Sequence, residues 1–218
     1  MAQMLTVDEI KRWKVLYPLV PVVLYVNTLA SAKAYCDVCC TSANAFEVIE
    51  SLSVDTVLFG PDRNLAEHVQ KKTGKTIIPI PEWGFCPTHL LFQPEDVQML
   101  KMKYPDAVVT VHPECTLEMR EVADFVGSTS QMCRYAKENN AKTFIVATEE
   151  GLLHRLRKDN QGKRFILAYE EAFCPNMKLN TLERLYMALK EEKYAVTVPE
   201  SIARQARKAL ERMFELTN

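Results

Sequence analysis

The sequence predicts an α/β protein built as two repeated three-layer α/β/α domains, each with a small parallel sheet. Three observations lead there. Short apolar runs alternate with helix-forming segments along the chain, the pattern of parallel strands joined by helical crossovers. Two loops of the form small-Phe-Cys-Pro recur, Gly84-Phe85-Cys86-Pro87-Thr88-His89 and Ala172-Phe173-Cys174-Pro175-Asn176-Met177. The segments around them also match, with a period of about 87 residues. Tyr25-Val26-Asn27 corresponds to His112-Pro113-Glu114, Val57–Leu65 to Phe144–Leu152, and Thr41-Ser42-Ala43-Asn44 to Ser128-Thr129-Ser130-Gln131.

Each element follows from local chemistry. Thr6 followed by Glu9 is a capping box, so residues 6–17 form a helix that Pro18 ends. The unbroken apolar run 22–26 is a strand covered on both faces. Helices are expected at 29–36 and 42–52, a strand at 56–59, a helix at 64–73 closed by Gly74, and a strand at 76–79. The second copy predicts helix 94–103, strand 107–111, helices 116–122 and 130–139, strand 143–147, helix 151–158 and strand 164–168. Helix 180–191, a strand at 195–198 and helix 199–216 complete the chain.

Composition sets limits. With 218 residues and 48% hydrophobic content the chain can bury a full core. A net charge of −1, with Lys and Arg scattered, argues against a nucleic-acid partner. No signal sequence or membrane-length apolar run is present, so a soluble, cytoplasmic protein is expected. Seven cysteines in such a protein are read as reduced. Cys36, Cys39 and Cys40 contain a C-x-x-C without a second pair, and are read as packing residues at a helix entry. Cys115 and Cys133 are read as packing, His68 and His154 as repeat structure, and Arg63 as one half of an internal ion pair.

The repeat also bears on the ends. Tyr104-Pro105 matches Tyr17-Pro18, which aligns Met1 with Thr88, just past a Cys-Pro pair. A further repeat carrying a third cysteine is therefore expected ahead of Met1. On this reading residues 1–17 belong to that repeat, 18–103 form the unit of the Cys86 loop, 104–191 that of the Cys174 loop, and 192–218 a C-terminal strand and helix. The terminal segments are expected to pack on the further repeat.

In open α/β sheets ligands sit beyond the carboxyl ends of the strands, and the candidate residues lie there. Cys86 and Cys174, on equivalent loops, are candidates to present thiolates to one centre. With a third from the further repeat they would suit a four-iron cluster with one open iron. His112 is a candidate anion ligand and Glu114 a candidate general base. Tyr25 and Asn27 take the corresponding places in the first unit. Ser42 and Thr129 sit at predicted helix starts, which favour carboxylate or phosphate groups. His89, close after Cys86, is a candidate for the same cavity.

Taken together these motifs resemble quinolinate synthase, the iron–sulfur enzyme of NAD biosynthesis. The resemblance rests on Tyr25-Val26-Asn27, Cys40–Ala45, Gly60–Leu65, Gly84–His89, Val111–Cys115, Ala123–Thr129, Thr148–Gly151 and Cys174–Lys178, in order along nearly the whole chain. It implies a pseudo-threefold, three-domain architecture around a [4Fe–4S] cluster with one cysteine from each domain, here Cys86 and Cys174. It implies condensation of iminosuccinate (iminoaspartate) with dihydroxyacetone phosphate, with a link to the enzyme supplying iminosuccinate. Tyr25, Asn27, Ser42, His89, His112, Glu114 and Thr129 would bind substrate, with Tyr25 and Glu114 assisting proton transfers. The family's first domain and its cysteine have no counterpart in these residues, so this polypeptide alone is expected to be inactive. The alternatives are a non-catalytic two-domain remnant binding a small dianion or a partner subunit, and a zinc module on Cys36–Cys40.

Overall fold

The computed structural model describes residues 1–217. The first unit runs α1 (Val7–Leu16), β1 (Val22–Tyr25), α2 (Ala30–Lys33), β2 (Val38–Cys40), α3 (Ala45–Glu50), β3 (Thr56–Gly60), α4 (Arg63–Thr73) and β4 (Thr76–Pro79). After a short 3₁₀ turn at His89–Leu91 the order repeats: α5 (Pro94–Lys103), β5 (Val108–Val111), α6 (Leu117–Glu121), β6 (Phe125–Val126), α7 (Thr129–Glu138), β7 (Thr143–Ala147), α8 (Leu152–Asp159) and β8 (Arg164–Leu167). Helices α9 (Pro175–Lys178), α10 (Leu182–Glu191) and α11 (Glu200–Thr217) follow.

Two four-stranded parallel sheets result, with the orders β2-β1-β3-β4 and β6-β5-β7-β8. In each, the chain steps to one side of the first strand and then to the other. A crevice therefore opens at the carboxyl ends of β1 and β3, and again at those of β5 and β7.

Alternation along each strand divides the core into two faces. In β1, Val23 and Tyr25 pack beneath α3 and α4, whereas Val22 and Leu24 face Ile10 of α1 and Ala32 of α2. In β5 and β7, Val109, Val111, Ile145 and Ala147 pack with Val97 of α5 and Met119 of α6, while Phe144 and Val146 meet Met132 of α7 and Leu156 of α8. Both predicted layers are thus present in each unit.

The two units are built with the same devices. Asp37 accepts the N–H of Val22 at 2.7 Å and lies 3.4 Å from Lys14; Asp124 accepts the N–H of Val109 at 2.7 Å and lies 3.7 Å from Lys101. The Lys75 ammonium donates to the last carbonyls of α3 (Ile49, 2.9 Å; Glu50, 3.1 Å) and to Leu52 at 2.6 Å. Lys163 does the same for α7, through Ala136 at 2.6 Å and Asn139 at 2.5 Å. A cation at a helix C-terminus satisfies carbonyls that have no partner within the helix.

The capping box at Thr6 and Glu9 is formed, and Gly74 closes α4 in the left-handed conformation at φ 70°. Three expectations about the elements need correction. Strands β2 and β6 were not foreseen, being too short to show a period; Cys39 and Cys40 sit inside β2 rather than at a helix entry. Residues 195–198 form no strand, since the segment is exposed and has no ladder partner. Helix α3 begins at Ala45, after the turn that holds Ser42, and Ser128 rather than Thr129 caps α7. The terminal helices pack on the first unit: Ile10 lies in one of its core faces, and Ala209 and Met213 of α11 lie in the other. No described helix is long and apolar enough to cross a membrane.

The Cys86 loop is held against the turn after β3. Arg63 donates its N–H to the Gly84 carbonyl at 2.9 Å, as Glu150 does to Ala172 at 2.9 Å in the second unit. A Cβ on Gly84 would stand 1.9 Å from the Pro61 carbonyl oxygen, so glycine is obligatory there. Gly84→Ala is expected to lower stability by about 1–3 kcal/mol, read from the denaturant midpoint; an unchanged midpoint would contradict the close approach.

Candidate active site

The carboxyl ends of the inner strands bring together residues from both units. Tyr25 ends β1, Asp62 follows β3, His112 and Glu114 follow β5, and Thr148 and Glu149 follow β7. The Cys86 loop crosses from the first unit to meet them. The Cys86 thiol, a His89 ring nitrogen and a Glu114 carboxylate oxygen all lie within 4.8 Å of one another.

Glu114 is the centre of this group, and it is buried. Its Oε2 lies 2.8 Å from Nδ1 of His89 and 3.9 Å from Nδ1 of His112. The two imidazoles stack with centroids 4.4 Å apart and planes 15° apart. Asn64 donates to the Glu114 carbonyl at 3.0 Å, fixing the backbone from the first unit.

A backbone hydrogen bond assigns the tautomer of His112. The Glu114 N–H donates to Nδ1 of His112 at 3.3 Å, so the proton of the neutral ring is on Nε2. His89 turns Nδ1 toward the carboxylate and Nε2 toward the Thr148 hydroxyl at 3.0 Å.

Burial and charge set the protonation states. Burial would push the Glu114 carboxyl up, but His112, His89 and the facing Tyr25 hydroxyl outweigh it and hold the group below the usual carboxylate range. Burial and the Glu114 charge push the Tyr25 phenol up, while the Ser42 hydroxyl beside it works in the opposite sense. Burial, with His89 stacked alongside, lowers His112 to about 3. Burial and Glu114 together raise the Cys86 thiol to about 12. Asp62, buried beside Glu114, is likewise raised. Near neutral pH Glu114 is thus ionised beside a protonated phenol, a protonated thiol and the neutral His112 ring, with Asp62, raised to about 7, poised between its two forms.

Of the residues singled out in the sequence, Tyr25, Ser42, Cys86, His89, His112 and Glu114 come together here. Asn27 is exposed on the turn after β1, and Thr129 is exposed in the first turn of α7. Cys174 lies outside the Cys86–His89–Glu114 group, at the N-cap of α9. Its N–H donates to Oε1 of Glu149 at 3.2 Å, and Oε2 of Glu149 accepts from Gly151 at 2.8 Å. Lys178 binds the same carboxylate at 3.0 Å.

Asp62 and Glu149 are pointed to by the sequence, as residues that follow inner strands, but without a role; Thr148, beside Glu149 at the end of β7, is the participant that sequence reasoning passed over. Arg63 forms no ion pair among the described residues; its guanidinium lies 6.0 Å above the Phe85 ring, beside the Cys86 loop. His68 and His154 differ in setting: His68 is half-buried on α4, and His154 is exposed on α8.

His68 is lowered to about 3, by burial first and then by Lys72 and Arg120. The unfolded chain therefore takes up a proton near pH 6.5 that the folded chain refuses until about pH 3. Stability is complete above pH 6.5 and is lost as pH falls through that window. His68→Gln is expected to flatten the fall in denaturant midpoint between pH 7 and pH 5, by less than about 1.4 kcal/mol per pH unit; an unaltered slope would refute the assignment.

Comparison with known proteins gives the family. The family model for quinolinate synthetase A protein matches residues 1–215. The quinolinate synthase of Methanothermobacter thermautotrophicus is 50% identical over 217 residues, covering 100% of this chain and 71% of the relative. That of Pyrococcus horikoshii is 50% identical over 217 residues (100% and 72%), and that of Thermotoga maritima 46% identical over 216 residues (99% and 72%). A match running the length of the chain, onto residues that converge on one buried cluster, leads to one assignment: the chain belongs to the quinolinate synthase family.

Proposed function

We propose that the Cys86–His89–Glu114 centre is where iminosuccinate and dihydroxyacetone phosphate condense, with release of phosphate and water, to give quinolinate for NAD biosynthesis. The observation that carries this reading is the buried Glu114 carboxylate, held between two histidines with the Tyr25 phenol and the Cys86 thiol beside it.

A [4Fe–4S] cluster fits these residues. Cys86 and Cys174 occupy equivalent loops, and each would contribute a thiolate. Buried Oε1 of Glu114 and Oδ2 of Asp62 have no hydrogen-bond partner, which is costly unless a polar group meets them. The raised Cys86 thiol needs a cation to ionise it, and metal coordination does so. When bound, a cluster with an open iron supplies Lewis acidity toward a substrate oxygen or nitrogen.

The remaining roles belong to the chain itself. His112, neutral and with its proton on Nε2, donates a hydrogen bond to a substrate carboxylate. Tyr25 stays protonated and Glu114 ionised, so the pair offers a proton donor beside an acceptor, the separation that acid–base chemistry requires. Ser42 orients the phenol. Asn27 and Thr129, exposed near the strand ends and the helix start, bind the anionic ends of the substrates. Chemistry of this kind, on small anionic molecules, suits a soluble cytoplasmic enzyme, and the supplier of iminosuccinate is its natural neighbour.

Two experiments separate the roles. Under anaerobic reconstitution with iron and sulfide, Cys86→Ser and Cys174→Ser are expected to lose iron–sulfide absorbance, whereas Cys133→Ser retains it. Unimpaired loading in the first two would overturn the ligand assignment. Glu114→Gln is expected to load normally while quinolinate formation, assayed with a complete set of cluster ligands, falls by about 10²–10⁴-fold.

A further inference from the structure

We propose that Cys36 and Cys39 are a redox-active dithiol, closing to an internal disulfide that resets the loop between β1 and α2. This rests on the first unit alone and is independent of the reaction assigned above. Cys36 lies in the turn after α2, and Cys39 lies in β2. Their sulfurs are 3.9 Å apart, already in contact. Among the described residues no third His, Cys, Asp or Glu completes a metal site with them, so the zinc reading has no support here.

The surroundings favour exchange chemistry at this pair. Cys36 is half-buried and reachable, while Cys39 is covered. Contact with Cys36 lowers the Cys39 thiol, against the effect of burial and with help from Lys33; the same contact, with burial, raises Cys36. Of the two sulfurs, Cys39 is thus the easier to ionise and Cys36 the easier to reach. Reactive thiols occur beside cations and in C-x-x-C arrangements of this kind.

The step needs an oxidant of the disulfide class, R–S–S–R. Cys36, the reachable sulfur, loses its proton as it attacks one sulfur of the oxidant, forming a mixed disulfide and expelling R–S⁻, which takes that proton. Cys39 then attacks the Cys36 sulfur, and the second R–S⁻ leaves with the Cys39 proton. Two protein thiols and one R–S–S–R become one protein disulfide and two R–SH.

Closure acts on the loop through Lys33. A disulfide needs its sulfurs about 2 Å apart, so one side must move. Cys39 is fixed by its ladder partner Leu24 in β1 and by the core around it. The Cys36 turn is the freer side, and the Cys36 thiol donates to the Lys33 carbonyl at 3.3 Å. Lys33 in turn donates its ammonium to the Thr28 carbonyl, and the Thr28 hydroxyl donates to the Tyr25 carbonyl at 3.0 Å. The dithiol is thus wired to the segment that carries Tyr25 and Asn27.

The test uses the full chain, without iron, equilibrated in glutathione mixtures of increasing oxidised fraction and then alkylated. The peptide spanning both residues is expected to lose two hydrogens of mass, with fragmentation placing the link at Cys36–Cys39 and not at Cys40. Amide hydrogen exchange over residues 26–34 is expected to differ between reduced and oxidised chain, and Cys36→Ser should abolish both signals; Cys36→Ala serves if serine disturbs folding. Separate alkylation of both thiols throughout, or links scattered over other cysteines, would overturn the dithiol. A Cys36–Cys39 link with unchanged exchange over 26–34 would overturn its control of the loop.

Discussion

A buried carboxylate without compensation cannot persist, and Glu114 shows what compensation demands. Its partners come from both units: His112 from its own strand end, His89 from the loop of the first unit, and Tyr25 from β1. Asn64 on α4 holds its backbone. Satisfying one charge therefore draws on both sheets. Other contacts cross the same junction. Arg120, itself buried, pairs with Glu67 at 2.5 Å, and Gln131 reaches the Ala43 carbonyl at 3.2 Å.

Duplication explains why the crevice is asymmetric. Each unit uses the same aspartate to anchor its first strand and the same lysine to close its third-layer helix. What differs lies at the strand ends. Tyr25 and Asn27 stand where the other unit has His112 and Glu114, and Asp62 stands where it has Glu149. The scaffold was kept while the ends diverged, so one strand end supplies a phenol and an amide and the other an imidazole and a carboxylate. Glu149 is answered by Lys178 and two backbone N–H groups, whereas Asp62 is left with one oxygen unmatched.

Much of this was legible in the sequence because repetition supplies a second reading of each segment. Val22–Tyr25 and Val108–Val111 declared themselves as buried parallel strands, and the offset paired Tyr25 with His112. Caps with a chemical signature, Thr6–Glu9 and Gly74, were readable too. What escaped had no local signature. Strands β2 and β6 owe their existence to backbone pairing with β1 and β5, not to their own few residues. The apparent strand at 195–198 has the opposite fault: its residues suit a strand, yet no edge is offered to them. A boundary drawn after residue 103 follows the loop motif, although Val97 and Leu100 of α5 pack with the second sheet. The Thr148–His89 contact depended on a long-range approach that no single segment encodes.

Helix α11 returns from the second unit to the first, where Ala209 and Met213 fill the face shared by Val23, Cys39 and Phe59. Synthesis proceeds from the other end. The earlier of the two units therefore waits for α11 before its core is whole, while the second unit, with its core built from residues between α5 and the Cys174 loop, can settle sooner. The order of completion is the reverse of the order of translation. During that interval the β2 edge and its thiols stand open, and a nascent chain stalled before α11 carries its most vulnerable surface on the earlier-made of these two units.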